Sequence, residues 1–165
     1  MKIRIIAIIF AIAFLIQGTL LNSFAFFGIT PNLTLCLLIA FTFFYENESA
    51  IYVALIFGII SDICFSNIIG VSSLSYLLVG FLIVRFRPLL NKENILASVI
   101  FGALGTLVFN IFYWILTNVN TNQYDFTYIL SLQPLYVISN LIVMVLIYFT
   151  LINRVVRHRS DRYYR

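Results

Sequence analysis

The chain of 165 residues is 62% hydrophobic and only 10% charged, and its mean hydropathy is +1.06. A soluble domain of this size could not cover so much apolar surface with polar side chains. The composition therefore excludes a water-soluble globular protein and predicts one integral membrane domain. The net charge of +4 comes mostly from the C-terminal tail, which favours contact with a membrane surface over contact with nucleic acid.

All the Lys and Arg residues fall in three short segments, and the apolar stretches between these segments contain none. If the chain crosses a bilayer six times, the three segments lie on one side and the other side carries no positive charge. Positive residues concentrate on the cytoplasmic side of membranes, so both termini are predicted to be cytoplasmic. The segments are the N-terminus with Lys2 and Arg4, a middle loop with Arg85, Arg87 and Lys92, and a tail with Arg154, Arg157, Arg159, Arg162 and Arg165.

Six apolar stretches are predicted to be membrane-spanning α-helices, since a crossing helix needs about 20 residues. The first is longer than the apolar core of a secretory signal and further apolar segments follow it, so it is interpreted as an uncleaved helix. Pro31 and Pro134 are expected to open the second and sixth helices, and Pro88 to close the fourth. The predicted helices cover residues 5–21, 31–45, 50–65, 71–84, 95–117 and 134–153, followed by a basic cytoplasmic tail at 154–165.

The connecting segments are expected to alternate between the two sides of the bilayer. Segments 46–49 and 85–94 are predicted inside, and segments 22–32, 66–70 and 118–133 outside. The third and fourth helices are short and joined by a tight turn, so a re-entrant hairpin is an alternative to two full crossings. Both arrangements leave the charge pattern unchanged, and the hairpin would have to be buried in protein.

Asp62 is the one acidic residue deep within an apolar stretch, and an intramembrane carboxylate is by default a candidate functional group. Three small residues precede it at spacings of four, which permits close helix contact and predicts that Asp62 faces protein. The structural alternative is that Asp62 lies near the outer helix end, pairs there with Ser61, Ser66 or Asn67, and touches water. The helix-packing stripe consists of Ala50, Ala54, Gly58 and Asp62.

Most polar residues of the predicted helices share a depth, in the outer half of the bilayer. This pattern predicts either a polar pocket open to the outside or a hydrogen-bond network between helices. Such bonds stabilise membrane helices by about 0.6–2 kcal/mol each. The outer-half polar cluster comprises Gln17, Asp62, Ser72, Ser75, Asn110 and Asn140.

Two segments are candidates for contacts with other molecules. The predicted outer loop before the sixth helix carries aromatic and apolar groups, which suit either partner docking or an aromatic belt at the membrane interface. The basic tail is expected to bind anionic lipids. The docking candidates are Tyr124, Phe126, Tyr128 and Ile129, and the lipid-anchoring candidates are Arg154, Arg157, Arg159, Arg162 and Arg165.

The sequence carries no recognisable catalytic or metal-binding arrangement. Cys36 and Cys64 lie in apolar stretches and are interpreted as small packed residues, and His158 lies among arginines. There is no nucleophile beside a base, no carboxylate pair at one depth and no phosphate-binding loop. Neither an enzyme nor a cofactor is expected.

Several short motifs follow one another in the first half of the chain. Together with the chain length, the six predicted crossings and the basic tail, they resemble the rod shape-determining protein MreD family. The motifs cover about a third of the chain, and the last two helices match the family only in hydropathy. The motifs are Thr30-Pro31-Asn32-Leu33 before a short helix, Gly58-Ile59-Ile60-Ser61-Asp62 at a helix end, and Ile69-Gly70-Val71 opening a helix that contains Gly80.

The resemblance implies a non-enzymatic membrane scaffold of the bacterial cell-elongation machinery, with several crossings of the inner membrane. MreC, a single-span protein with a large outer domain, would be its main partner in controlling cell shape and lateral peptidoglycan synthesis. MreB, RodA and a class B penicillin-binding protein would be more distant partners. The family's fold is similar to the substrate-binding subunits of energy-coupling-factor vitamin transporters, which are also six-helix proteins.

Two other functions remain open from the sequence. The first is a vitamin-type substrate-binding subunit whose ligand site is formed by Asp62, Asn110 and Asn140. The second is a proton-coupled carrier that uses Asp62, although one acid without a membrane-embedded partner makes a poor proton relay.

Overall fold

A computed structural model of the chain is all-helical and describes residues 3–21, 29–66, 68–90, 94–121 and 126–163. Within these ranges, the side chains at 20–21, 120–121, 126, 128–129 and 151–163 are not described. The described residues form six α-helices, and short turns extend the first and the fourth. The helices are α1 (Ile3–Ile16), α2 (Leu33–Phe44), α3 (Ser49–Phe65), α4 (Val71–Phe86), α5 (Ile95–Thr121) and α6 (Phe126–Tyr163), with a π-helical turn at Gln17–Leu21 and a 3-10 turn at Arg87–Leu89.

Helix α2 occupies the centre of the bundle. Ten of its 12 residues are buried, and it contacts each of the other five helices. Its sequence is apolar on nearly every side, which is typical of a helix surrounded by protein. A helix of 12 residues rises about 18 Å, well short of the bilayer's hydrocarbon thickness of about 30 Å. Both ends of α2 are buried as well, so their backbone groups need partners within the protein.

Helices α3 and α4 form a tightly packed pair because two glycines allow their surfaces to meet. A Cβ atom added to Gly58 would lie 2.8 Å from the Cα of Ser73, closer than real Cβ atoms approach. A Cβ atom added to Gly80 would lie 2.8 Å from Cγ1 of Ile51. Helices α5 and α6 form the second pair, and α4 joins the two pairs through its contact with α5.

The bundle has two ends of different chemistry. One end holds the first turns of α2 and α4 together with most of the buried polar side chains, and we call it the network end. The opposite end holds the α2–α3 turn and the 3-10 turn after α4, where Glu48 pairs with Arg87, and we call it the basic end.

Many large apolar side chains are exposed on the surface of the bundle, which is compatible with a membrane protein. Ile56, Leu104 and Leu146 are all more than half exposed. Three helical segments are long and apolar enough to cross a membrane, and three are shorter. The long segments are Val71–Leu89, Ile95–Val119 and Leu130–Thr150, and the shorter ones are Ile3–Thr19, Leu33–Phe44 and Ser49–Phe65.

The sixth helix starts earlier than the sequence analysis predicts. It begins at Phe126, and Pro134 lies inside it, so the prediction that Pro134 opens the helix is wrong. The proline removes the helical donor for the carbonyl of Leu130, but membrane helices tolerate such interior prolines. Helix α5 also continues to Thr121, so most of the predicted loop 118–133 is helical.

Candidate functional site

The first turn of α2 is capped by side chains from distant parts of the chain. A helix start leaves backbone N–H groups without partners, and burying them unpaired would be costly. Asn32 is the N-cap residue, and its Oδ1 accepts a hydrogen bond of 2.9 Å from the backbone N–H of Leu35. The N–H of Leu33 donates to Oε1 of Gln17 at 2.9 Å. The N–H of Asn32 itself donates to Oδ1 of Asn140 at 2.7 Å.

Asn32 and Asn140 extend this cap into a network across the bundle. The hydroxyl of Tyr76 on α4 donates to Oδ1 of Asn32 at 3.0 Å. The Nδ2 group of Asn140 on α6 donates to Oγ1 of Thr106 on α5 at 3.1 Å. Tyr76, Thr106 and Asn140 are all buried, so each bond is made where water does not compete. The network therefore ties α2 to α4, α5 and α6.

Gln17 brings the first helix into the same network. It is the first residue of the π-helical turn that follows α1. A π-helical turn changes the direction of side chains relative to a regular helix, and such turns often lie at sites with a special role. Here the turn carries the residue whose amide oxygen caps Leu33.

Asp62 caps the first turn of α4 from the end of the preceding helix. Its Oδ2 accepts hydrogen bonds from the N–H of Gly70 at 2.8 Å and from the N–H of Ser72 at 3.0 Å. The side chain is 1% exposed, and a carboxylate at this position also interacts favourably with the positive end of the helix dipole. The buried carboxyl group is therefore satisfied by backbone donors at the start of α4.

This geometry gives Asp62 a capping role, without the contact with water and the partners that the structural alternative predicts. The carboxylate bonds to backbone groups of α4, and none of its described bonds goes to Ser61 or Ser66; Asn67 lies outside the described residues. Gly70, the residue before α4, has φ of 99°, which favours glycine. The Gly58-to-Asp62 motif thus supplies the capping carboxyl group, and the Ile69-Gly70-Val71 motif supplies one of the N–H groups that it caps.

The four residues of the helix-packing stripe share one buried face of α3. At Gly58 the helix touches the backbone of Ser73, and Oγ of Ser73 donates to the carbonyl of Leu55 at 2.7 Å. This contact fixes α3 against α4 next to Asp62. The buried residues of the stripe are Ala50, Ala54, Gly58 and Asp62.

The remaining members of the outer-half polar cluster do not join the Asn32 network. Ser75 donates to the carbonyl of Val71 within α4 at 2.7 Å. Asn110 donates to Oε1 of Gln133 at 3.1 Å and so links α5 to α6. Among the described residues no hydrogen bond joins Asp62, Asn110 and Asn140 to one another, so the predicted cluster divides into separate groups.

Four residues that take part in these hydrogen bonds are not predicted as site residues from the sequence: Asn32, Tyr76, Thr106 and Gln133. Helix α2 begins at Leu33, so Pro31 precedes the N-cap and the prediction that it opens the helix is wrong. Asn32 stands within a quoted motif, and the N-cap preference of asparagine alone could have identified it. The sequence places Gln133 in a loop, because proline at position 134 favours the first turn of a helix. Tyr76 and Thr106 have no local signal, since their partners lie on other helices.

The predicted contact segments are described only in part. Phe126, Tyr128 and Ile129 lie in the first turns of α6, where the structure describes the backbone but not their side chains. Tyr124 lies outside the described residues. The basic tail continues α6 as helix to Tyr163. That stretch carries Arg154, Arg157, Arg159 and Arg162, and Arg165 lies beyond the described residues.

The chemistry of the network end is structural. Its groups are amides, hydroxyls and one carboxylate, and they bond to backbone groups at helix starts or to one another. Within the described ranges, no three His, Cys, Asp or Glu residues are grouped so that they could hold a metal ion. The arrangement can hold six helices in register.

Comparison with known proteins identifies the family. The family described as rod shape-determining protein MreD matches residues 1–155, which includes the last two helices as well as the motif-bearing part. No curated protein matches the chain, and no solved structure matches it either. The expected similarity to the subunits of vitamin transporters therefore stays a prediction. A match over nearly the whole length shows that the chain belongs to the MreD family of rod shape-determining proteins.

Proposed function

We propose that this rod shape-determining membrane protein acts as a non-enzymatic scaffold for lateral peptidoglycan synthesis in the bacterial inner membrane. The bond between Asn32 and Asn140, with its branches to Tyr76 and Thr106, carries the proposal. These hydrogen bonds use the buried polar groups to hold helices together, as a scaffold requires. Asp62 likewise serves the start of α4.

We also propose six crossings, with both termini and the basic end in the cytoplasm. Arg87 lies at the end of α4 opposite the turn that Asp62 caps, which fits the retention of positive charge inside. The three shorter helices fit this topology if their ends are capped within the protein, as α2 is, or if the bilayer thins locally. The two ends of the α3–α4 pair would then lie at opposite surfaces of the membrane.

The partner in this proposal is MreC, and its docking surface is the exposed side of α6 with the segment before it. Apolar side chains at spacings of three or four residues form a continuous stripe there. Such a stripe can accept a transmembrane helix, while Tyr124, Phe126, Tyr128 and Ile129 would contact the partner near the outer surface. The stripe consists of Ile138, Ile142, Leu146 and Phe149, each more than half exposed.

Isolation of the tagged chain from its native membrane in mild detergent tests the proposal. We expect an MreC-like protein to co-purify, with RodA, a class B penicillin-binding protein and MreB recovered more weakly. A chain that purifies alone and carries a tightly bound small molecule would contradict the scaffold and support the vitamin-binding alternative. That alternative has less support from the geometry, because Asp62 and Asn140 are engaged by protein groups.

A further inference from the structure

Helix α6 contains one turn that lacks a regular backbone hydrogen bond. Pro134 lies inside the helix and has no N–H group, so the carbonyl of Leu130 has no helical donor. The proline ring also crowds that carbonyl, and sharp bends in helices occur mostly at such prolines. This turn, residues 130–134, is therefore the place where α6 bends most easily, and we call it the hinge turn.

A hydrogen bond from α5 reaches the hinge turn. Leu130, Ser131 and Pro134 are exposed, whereas Gln133 is 4% exposed and faces α5. Its Oε1 accepts a hydrogen bond of 3.1 Å from Nδ2 of Asn110. This bond, which we call the brace, therefore fastens α6 to α5 at the turn where the helix lacks a backbone bond.

The brace satisfies only part of the Gln133 amide. The Nε2 group of Gln133 is buried and has no hydrogen-bond partner among the described residues. A buried donor without an acceptor raises the free energy of the conformation that buries it. A bend that carries Gln133 away from α5 breaks the bond to Asn110 but also releases this donor to find an acceptor. Because the loss and the gain offset each other, the braced conformation is only weakly favoured.

The part of α6 that follows the hinge turn is anchored in the bundle. Asn140 bonds to the backbone N–H of Asn32 and to Oγ1 of Thr106. Met144 and Tyr148, one and two turns further on, are buried. A bend at the hinge turn therefore moves the short helical segment before it, residues 126–129, and leaves the rest of α6 in place.

We propose that α6 bends at the hinge turn and that the Asn110–Gln133 bond restrains the bend. Residues 126–129 then occupy more than one position relative to α5. Thr127 lies seven residues before Pro134, about 10 Å along the helix, so a bend of about 20° moves it by about 4 Å. The bend would adjust the surface that docks MreC. This consequence rests on the proposed function, whereas the bend itself does not.

Distances between two spin labels on the full chain in lipid nanodiscs, measured by double electron–electron resonance, test the proposal. One label replaces Ile56, an exposed residue of α3, and the second replaces Thr127. In the matched control the second label replaces Ile142, which is exposed and lies at a similar distance on the other side of the hinge turn. Cys64→Ser leaves only the introduced cysteines accessible to the label, because Cys36 is buried.

We expect the distance distribution at Thr127 to be broader than that at Ile142. Asn110→Leu removes the brace and should shift the Thr127 distances by about 4 Å, while the Ile142 distances stay unchanged. Pro134→Ala restores the missing backbone N–H and should narrow the Thr127 distribution to the width seen at Ile142. Ser139→Ala, whose hydroxyl bonds only within α6, is the control for loss of a polar group and should change neither distribution.

Two results would overturn the proposal. The first is a Thr127 distribution in Asn110→Leu that is as narrow as the Ile142 distribution. The second is a broad distribution that persists in Pro134→Ala, which would show fraying of the helix start rather than bending at the proline. Asn110→Ala breaks the same bond with a smaller side chain and should give the same shift as Asn110→Leu. These measurements need no partner, so their outcome is independent of whether MreC binds.

Discussion

Asn140 on α6 accepts a 2.7 Å hydrogen bond from the backbone N–H of Asn32, a residue 108 positions earlier in the chain. The bond joins the last helix of the bundle to the start of its central helix. It meets a physical need, because the first N–H groups of a helix have no partners within that helix and are costly to bury unpaired. The same Asn140 side chain then donates to Thr106, so one amide holds three helices.

Asn140→Leu should lower the free energy of unfolding in detergent by about 1–2 kcal/mol. The change keeps an apolar side chain of similar size but leaves the N–H of Asn32 unpaired and removes the bond to Thr106. Ser139→Ala is the matched control, since Oγ of Ser139 bonds only within α6, to the carbonyl of Tyr136. The control should change stability by less than about 0.5 kcal/mol. Equal stability of the two variants in thermal unfolding would show that the network does not secure α2.

The six helices of the described residues were predictable from the sequence because long apolar runs mark helices that can be buried in protein or in lipid. The spacing of Ala54, Gly58 and Asp62 likewise indicates one small face on α3, and the three residues are buried. Both signals are local to one helix. They require no knowledge of which helices are neighbours.

The capping network could not be predicted in the same way. Asn140 is a polar residue in an apolar helix, and the sequence contains nothing that pairs it with Asn32 rather than with Asn110. Pro134 shows a second limit, because proline favours a first turn but is also tolerated inside membrane helices. The apolar residues before it continue the helix, and this outcome depends on packing against α5.

Asp62→Asn should be tolerated far better than Asp62→Leu. Asparagine keeps one acceptor for the N–H groups of Gly70 and Ser72 and loses the charge, which costs about 1 kcal/mol at a helix start. Leucine leaves both groups unpaired in a buried position and should cost about 3 kcal/mol. Unfolding in detergent gives the stabilities, and restoration of rod shape in a depleted host gives the function.

The same pair of variants distinguishes a scaffold from a proton carrier. A carboxamide cannot carry a proton, so a carrier would lose function with asparagine as completely as with leucine. A folded Asp62→Asn protein that fails to restore rod shape would therefore count against the structural role of Asp62.

Gly58→Leu should separate α3 from α4. Even a single added Cβ atom would meet the backbone of Ser73 at 2.8 Å, and backbone cannot move aside as a side chain can. We expect a loss of about 1–3 kcal/mol or more, seen as poor yield and a lowered unfolding temperature. Ile60→Leu, on the exposed side of the same helix, should leave both unchanged. Full yield and stability of Gly58→Leu would contradict the close contact.

Fusions to a reporter that is active only outside the cytoplasm should be active after Asn120 and inactive after Arg159. This follows because the Lys and Arg residues lie only near the termini and at the end of α4 with the segment after it. Asn120 lies in the last turn of α5, at the end of the bundle opposite the N-terminus of that helix. The reverse pattern of activity would refute the proposed orientation.

Polar substitution at the start of α6 should weaken MreC capture more than charge removal in the tail. Phe126→Asn and Ile129→Asn change residues in the first turns of α6, near the outer surface in the proposed topology. Arg162→Gln and Arg165→Gln remove charges that we expect to contact anionic lipid, each contributing about 1 kcal/mol to membrane attachment. A partner that docks through apolar contacts should respond to the first pair of variants and not to the second. The amount of MreC recovered per tagged chain in mild detergent measures the difference. A greater loss of MreC with the arginine variants would contradict docking at the start of α6 and place the docking surface on the cytoplasmic tail.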